Sequence, residues 1–415
     1  MITYPKKLEP IFSKLISYGI KPIIVGGFIR DSILSIAVSD IDIELYGISS
    51  LAELENILKE FGSVNSVGKS FGVCKLSYVG YELDFTLPRM DNKTTSGHRG
   101  FNIKIDSNLD FKTAASRRDF TINAIGYDIV KREIIDPFNG INDLNSKTLR
   151  AVNPKTFIED PLRVLRAVRF SAVYNFKIDN ELYQLCERMV KNRMLEELPK
   201  ERIFEEIKKI LLISEKPSIA FELLKNFGSD IYTNNFLVTD EISKQLTNSD
   251  QTNVVLMLAG LCYSLTKEKA ESFIKKLTNE KKLLKKVLQF IKLHEEIEKI
   301  YIKDFNNETL YRLATKVSIG ELLILSRAIY FSKNYSSTYE IAEAIQKKAV
   351  DLNILTKKLP PLLRGKDILA FGIAPSSEFT IILNSAYEAQ MSGKITNYKE
   401  AISWLEDFIK FYKKL

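Results

Sequence analysis

Hydrophobic periodicity changes once along this 415-residue chain, and that change limits the folds open to it. Up to about residue 145, short alternating runs are interleaved with short helical ones. From about Lys155 nearly every segment spaces its apolar residues three or four apart. KPIIV (Lys21–Val25) reads as a strand closed by Gly26-Gly27, FIRDSIL (Phe28–Leu34) opens a helix, and SDIDIELYG (Ser39–Gly47) alternates as a strand. SLAELENILKEFG is an amphipathic helix that stops at Gly62, and Phe71–Pro88 reads as two strands about a turn at Gly80. RMDNKTTSGHRG (Arg89–Gly100) is polar and reads as a mobile loop. Segments such as KERIFEEIKKILL and KKLLKKVLQFIKLHEEIEKIYI are helical, with breaks at Pro199, Pro217, Pro360–Pro361 and Pro375. The expected class is α+β, a head with a small mixed sheet followed by an all-helical remainder.

Composition narrows the function. The longest uncharged apolar-rich stretch, 253–266, is shorter than the roughly 18 residues a membrane helix needs, so no membrane is expected. The N-terminus has no apolar h-region of the secretory type. Cys74, Cys186 and Cys262 are far apart and odd in number, which suits buried thiols in a reducing, cytoplasmic compartment. Only His98 and His294 are present, so histidine-rich metal centres are excluded and any metal must be held by carboxylates, as Mg²⁺ is. The net charge is +8, yet residues 1–145 carry 17 basic and 18 acidic side chains. All the positive excess therefore follows the head, as a phosphate-backbone partner would require. A Lys-rich composition spread over solvated helix faces would give the same number.

The strongest local signal is Asp40-Ile41-Asp42. Side chains alternate along a strand, so Asp40, Asp42 and Glu44 are expected on one face, with Ile41, Ile43 and Leu45 in the core. Carboxylates spaced about 7 Å along one face can ligate Mg²⁺, with phosphate oxygens completing the shell. Alone, the pair would equally suit a solvated edge strand. Just upstream, Gly26 and Gly27 let backbone N–H groups approach a polyphosphate at a helix start, and Arg30 offers a forked donor. A phosphate cradle directly before a metal-binding strand is the layout of a polymerase β-like nucleotidyltransferase. Gly62…Gly68-Lys69-Ser70 imitates a P-loop, but its spacing and context are wrong and it reads as a turn.

On these residues the chain resembles the class II tRNA nucleotidyltransferase (CCA-adding enzyme) and bacterial poly(A) polymerase family. GGFIRD (Gly26–Asp31) with DID is similar to the family's GGxxRD…DxD, RRDFTINAI (Arg117–Ile125) to RRDxxxNA, and IIDPFNGINDL (Ile134–Leu144) to its hinge segment. EDPLRVLRAVRF (Glu159–Phe170) and LPKERIFEEIKKIL (Leu198–Leu211) resemble the neck motifs, and the segment from LRGKDILAF to EAISWL resembles the tail. The resemblance implies a head (1–145), neck (146–212), body (213–350) and tail (351–415), the last two gripping tRNA. It implies that Arg118 holds phosphate, that Asp119, with Asn123 in the same motif, holds ribose, and that the loop at 89–100 switches the enzyme from CTP to ATP. Asp119 and Asn123 could instead be a helix-capping pair.

In the neck, Asp160 and Arg163 stand i, i+3 on a helix, an acceptor and a forked donor able to match a cytosine or adenine edge. Arg166 and Arg169 continue the stripe towards the triphosphate; a solvated ion pair with snorkelling arginines is the bland alternative. Asp84, with Glu82 on the same face, is the candidate third carboxylate. The expectation is Mg²⁺-dependent addition of CCA to tRNA from CTP and ATP, with no obligatory protein partner inferred. A-only addition or poly(A) synthesis is the sister alternative. A non-catalytic RNA-binding protein would have no need of clustered carboxylates, and a small-molecule nucleotidyltransferase none of a long basic body.

Overall fold

The structure is a computed structural model that describes residues 4–68, 73–93, 101–106, 109–246, 251–334, 338–375 and 377–412. The chain forms two compact units, Met1–Tyr232 and Thr233–Leu415. In the first, α1 (Glu9–Ser17) leads to β1 (Lys21–Val25), α2 (Gly27–Ile33) and β2 (Asp40–Tyr46). Helix α3 (Leu51–Leu58) follows, its first turn capped by the Ser50 hydroxyl, which accepts from Glu53 N–H at 3.3 Å. Strands β3 (Val64–Gly68), β4 (Val73–Tyr78) and β5 (Tyr81–Thr86) come next, then β6 (Arg89–Lys93) and β7 (Phe101–Ile105). Helix α4 (Phe111–Ala115), β8 (Gly126–Asp128), β9 (Glu133–Ile135) and α5 (Gly140–Asn145) complete the sheet-bearing part.

Seven strands form one mixed sheet in the order β3-β4-β5-β2-β1-β8-β9. Within this sheet only the β2–β5 pair is parallel among the described residues. Strand β2 is therefore central rather than an edge, with Asp42 opposite Val25 of β1 and opposite Asp84 of β5. Ile23, Ile24, Ile41, Ile43 and Leu45 are almost fully buried, and Ile11, Phe12 and Leu15 of α1 are buried as well. Burying such side chains contributes roughly 1.5–3 kcal/mol each, which holds the strand carrying the aspartates in place.

Two expectations are corrected. The segment at 89–100 is not simply a loop: Arg89–Lys93 pairs antiparallel with Phe101–Ile105, and 94–100 lies outside the described residues. The false P-loop at 62–70 is not simply a turn, because Val64–Gly68 forms the edge strand β3. The turn at Gly80 holds, with φ +88°.

The rest of the first unit holds the short strands β10 (Thr148–Leu149) and β11 (Lys177–Ile178), which pair parallel. Its helices are α6 (Pro154–Phe157), α7 (Leu162–Tyr174), α8 (Asn180–Lys191), α9 (Lys200–Ile213) and α10 (Ser218–Asn226). Helix α7 packs on α9 and α10. Pro199 and Pro217 stand immediately before α9 and α10, where a missing N–H costs nothing.

The second unit is helical throughout its described residues. It comprises α11 (Leu237–Ser243), α12 (Gln251–Cys262), α13 (Lys267–Leu277), α14 (Lys281–Lys303), α15 (Asn307–Lys316), α16 (Ile319–Asn334) and α17 (Glu340–Asp351), then α18 (Gly365–Ala370), α19 (Ser377–Met391) and α20 (Tyr398–Tyr412). Helix α12 is apolar all round because it is buried all round, from Val254 to Cys262. No helix among the described residues is long and apolar enough to cross a membrane. Leu363, Ile368, Ile382 and Leu405 form a separate small core among α18, α19 and α20.

Candidate active site

Strand alternation puts Asp40 and Asp42 on the open face of β2, and both are exposed. Neither makes a hydrogen bond or ion pair among the described residues. Asp42 lines a cleft. Partial burial pushes its carboxyl above the usual range, Asp84 and Asp40 push the same way, and Arg118 opposes them. Two adjacent, unpaired, hard-oxygen donors with surplus negative charge suit a divalent cation of the Mg²⁺ type, which commonly takes one or two carboxylates and leaves its remaining positions to water and phosphate. Among the described residues no group of three or more His, Cys, Asp or Glu is placed to hold a metal ion.

Two predicted partners on the sheet fall elsewhere. Glu44 follows Asp42 on the same face, but it is fully buried. It accepts from the Tyr46 hydroxyl at 2.9 Å and pairs with Arg117 at 3.4 Å. Asp84 is the cross-strand partner of Asp42, yet Lys75 Nζ holds its carboxylate at 2.5 Å and it does not line the cleft.

All the other predicted site residues border one cleft of ≈ 630 Å³. Gly26 and Gly27 form one lip. Gly26 has φ +70°, a conformation that favours glycine, and a Cβ there would stand 3.0 Å from Arg118 Nη1 and crowd it. Arg118 Nη1 donates to the Asn123 carbonyl at 3.3 Å and makes no ion pair among the described residues, which leaves its charge available to an anion.

Arg30 is engaged differently from the free phosphate fork that was expected. It is 7% exposed, it chelates Asp31 through Nε at 2.8 Å and Nη2 at 2.7 Å, and its Nη1 donates to Asn123 Oδ1 at 2.5 Å. Asp119 is likewise occupied: Oδ1 accepts from Phe120 N–H (2.8 Å) and Asn123 Nδ2 (2.9 Å), and Oδ2 from Arg166 Nε (2.6 Å). This is no helix cap, because the turn at 121–123 has no side-chain cap.

Burial alone would raise the Asp119 carboxyl, but Arg166 and the Asn123 amide outweigh it and hold it below 3.8. The sign follows. A carboxyl depressed in the fold stabilises it above the unfolded value and loses that contribution as pH falls through the folded one. Asp119→Asn is therefore expected to flatten the fall in melting temperature below about pH 4, read by thermal melts from pH 6 to pH 3. An unchanged acid limb would contradict this.

Asp160 precedes α7 instead of lying within it. Its Oδ1 accepts from Leu162 N–H at 3.1 Å, and Oδ2 lies 3.5 Å from Arg202. It does not pair with Arg163, whose Nη1 and Nη2 donate to the carbonyls of Thr156 (2.9 Å) and Arg117 (2.7 Å). Both side chains are thus oriented by backbone, and a guanidinium so held still has donors to spare. Arg169 pairs with buried Glu206 at 2.7 Å, and Lys209 reaches the same carboxylate at 3.3 Å.

Phe170 and Lys209 also border the cleft. Arg169, Arg30 and Arg166 stand 4.4, 5.0 and 5.5 Å from the Phe170 ring centroid. Phe170, Lys209 and Glu206 lie inside motifs that the sequence displayed. Extending the arginine stripe from Arg166 to i+4 would have found Phe170.

Residues 23–150 match the poly A polymerase head domain, 175–229 the probable RNA- and SrmB-binding site of polymerase A, and 245–405 the putative domain 2 of tRNA nucleotidyltransferase. The multifunctional CCA protein of Neisseria gonorrhoeae strain NCCP11945 is 36% identical over 206 residues, 50% of this chain and 48% of that protein. The CCA-adding enzyme of Buchnera aphidicola subsp. Baizongia pistaciae is 37% identical over 209 residues, 50% and 47%. The chain spans about half the length of the curated relatives it matches. The fold is similar to that of the Bacillus stearothermophilus CCA-adding enzyme in complex with CTP (TM-score 0.70, 22% identity, 99% and 100% of the two chains). It is also similar to the Thermotoga maritima CCA-adding enzyme complexed with tRNA (TM-score 0.67, 22% identity, 98% and 96%). Residues 23–150 thus carry a poly A polymerase head domain and 245–405 a putative tRNA nucleotidyltransferase domain 2, and the chain is similar to CCA-adding enzymes.

Proposed function

We propose that this protein adds CMP, CMP and AMP without a template to the 3′ end of tRNA, from CTP and ATP, in the cytoplasm, completing or repairing the terminus. One observation carries the reading: an unpaired Asp40/Asp42 pair and the arginines of α7 border the same cleft. Asp40 and Asp42 are the residues that would hold Mg²⁺, which when bound supplies a lowered pKa for the terminal hydroxyl and charge stabilisation at phosphorus. The RNA hydroxyl attacks the α-phosphorus, the bond to the bridging oxygen breaks, and pyrophosphate leaves. Arg118, unpaired beside Gly26, takes the triphosphate, and Arg166 and Arg169 add positive potential from α7. Asp160 and Arg163 read the Watson–Crick edge of the base, which explains why both are oriented by backbone groups before any nucleotide arrives. Relatives named CCA-adding enzyme, and folds solved with CTP and with tRNA, support this choice of substrates.

The test supplies a tRNA lacking its last three nucleotides with CTP alone, ATP alone and both, and weighs the products. Two added residues with CTP alone and three with both are expected. A added only to a second tRNA already ending in CC would assign the A-adding reaction instead, a run of A the poly(A) reaction, and no addition to either tRNA would remove the enzymatic reading.

A further inference from the structure

A closed hydrogen-bonded ring ties the nucleotide-reading helix to the glycine-pair helix, and one member of it has no counterpart in the motifs. Tyr174, the last residue of α7, donates its hydroxyl to Asp31 Oδ1 at 2.8 Å. Asp31 is chelated by Arg30, Arg30 donates to Asn123, Asn123 to Asp119, and Asp119 accepts from Arg166, back on α7. Arg30, Asp31, Asn123 and Asp119 are all buried, between 6% and 9% exposed. Each joint of the ring is a 2.5–2.9 Å hydrogen bond, and most involve a charged group, the strong kind. Phe170 fills the space between: its ring stacks on Tyr174 with centroids 5.8 Å apart and planes at 13°, and Arg30 stands 5.0 Å from both rings.

The helix thus meets the ring at Arg166 and again eight residues on, about 12 Å along its axis at 1.5 Å per residue. Packing on α9 and α10 and the bond from Arg163 to the Arg117 carbonyl already hold α7, and the joint at Tyr174 adds a tie from its far end to the glycine-pair helix. Arg163 and Asp160 lie at the end of that lever, beyond Arg166.

We propose that Tyr174 is a positioning residue for nucleotide selection, a strut at the far end of α7 that helps hold the helix, and with it Asp160 and Arg163, in register with the Asp40/Asp42 strand. The inference rests on the function proposed above. Tyr174→Phe removes one hydroxyl while leaving the stacked ring, and Asp31 keeps both bonds from Arg30, so the fold persists.

The experiment compares full-length parent and Tyr174→Phe in two ways. The kcat/KM values for CTP and ATP are measured on tRNA lacking its terminal A and on tRNA lacking CCA. Amide hydrogen exchange is followed in 27–33 and 162–174, with 73–86 as an internal reference. Loss of about tenfold in discrimination between the nucleotides is expected, since small misplacements of positioning groups are costly. Exchange should rise in 27–33 and 162–174 and stay unchanged in 73–86. Discrimination within twofold of the parent overturns the proposal. So does unchanged exchange, or exchange raised across 73–86 as well, which would mark a merely structural loss. A parent that incorporates neither nucleotide defeats the proposed activity, and with it the selection role, whereas exchange in the free protein still reads whether the strut exists.

Discussion

Asp42→Ala is expected to lower nucleotide incorporation about a thousandfold or more while leaving the melting temperature unchanged or slightly higher. The activity loss follows from the donor set. Asp42 is one of the two carboxylates proposed to hold the cation, so alanine removes half of that donor set. The several kcal/mol of charge stabilisation at stake convert to a thousandfold at about 1.4 kcal/mol per factor of ten. The stability result follows from the pKa. A carboxyl held above its unfolded value of 3.8 disfavours the fold once ionised, and Asp42 has no partner that its loss would strand. Asp40→Ala should lower incorporation alike. Single-turnover kinetics and thermal melts on the same samples would separate the two quantities, and near-normal turnover in either variant would refute the assignment.

The second large effect concerns selectivity. Asp160→Ala should reduce discrimination between CTP and ATP by about ten- to a hundredfold, because a bidentate base contact is worth roughly 1–3 kcal/mol of discrimination. tRNA affinity should not move. Some stability is lost as well, about 1 kcal/mol, since Asp160 Oδ1 accepts the Leu162 N–H at the start of α7. Asp160→Asn keeps an acceptor for that N–H but turns one carboxylate oxygen into a donor. It should therefore recover stability without recovering selectivity. If both variants kept the parent's preference, the base would be read elsewhere.

Local signals were legible in the sequence and long-range partners were not. Lys21–Val25 and Asp40–Tyr46 are strands because alternating β-branched residues leave few alternatives, and proline marked where α9 and α10 begin. Alternation also put Glu44 beside Asp42, which is geometrically right. What it could not reveal is that Tyr46 and Arg117 close over Glu44. Arg89–Lys93 was hidden by its polar composition, because a two-stranded ribbon is held by backbone pairing and carries no core pattern.

The arginine stripe was visible as spacing, but its pairing was not. Arg166 meets Asp119, 47 residues away, and Arg169 meets Glu206, 37 away. These pairs decide which arginines are spoken for and leave Arg118 without an ion pair among the described residues, with the Asp42 carboxyl in its field. Asp84 shows the converse. Its sequence position suggested a third metal ligand, and register does place it opposite Asp42, but Lys75 on the neighbouring strand takes the carboxylate.

Mn²⁺ titration followed by electron paramagnetic resonance, with a non-hydrolysable CTP analogue present, reads the Asp40/Asp42 assignment without relying on turnover. The parent should bind Mn²⁺ and release it to excess Mg²⁺, and Asp40→Asn/Asp42→Asn should bind none at the same concentrations. Equal Mn²⁺ binding by the parent and the doubly substituted protein would contradict the site described here.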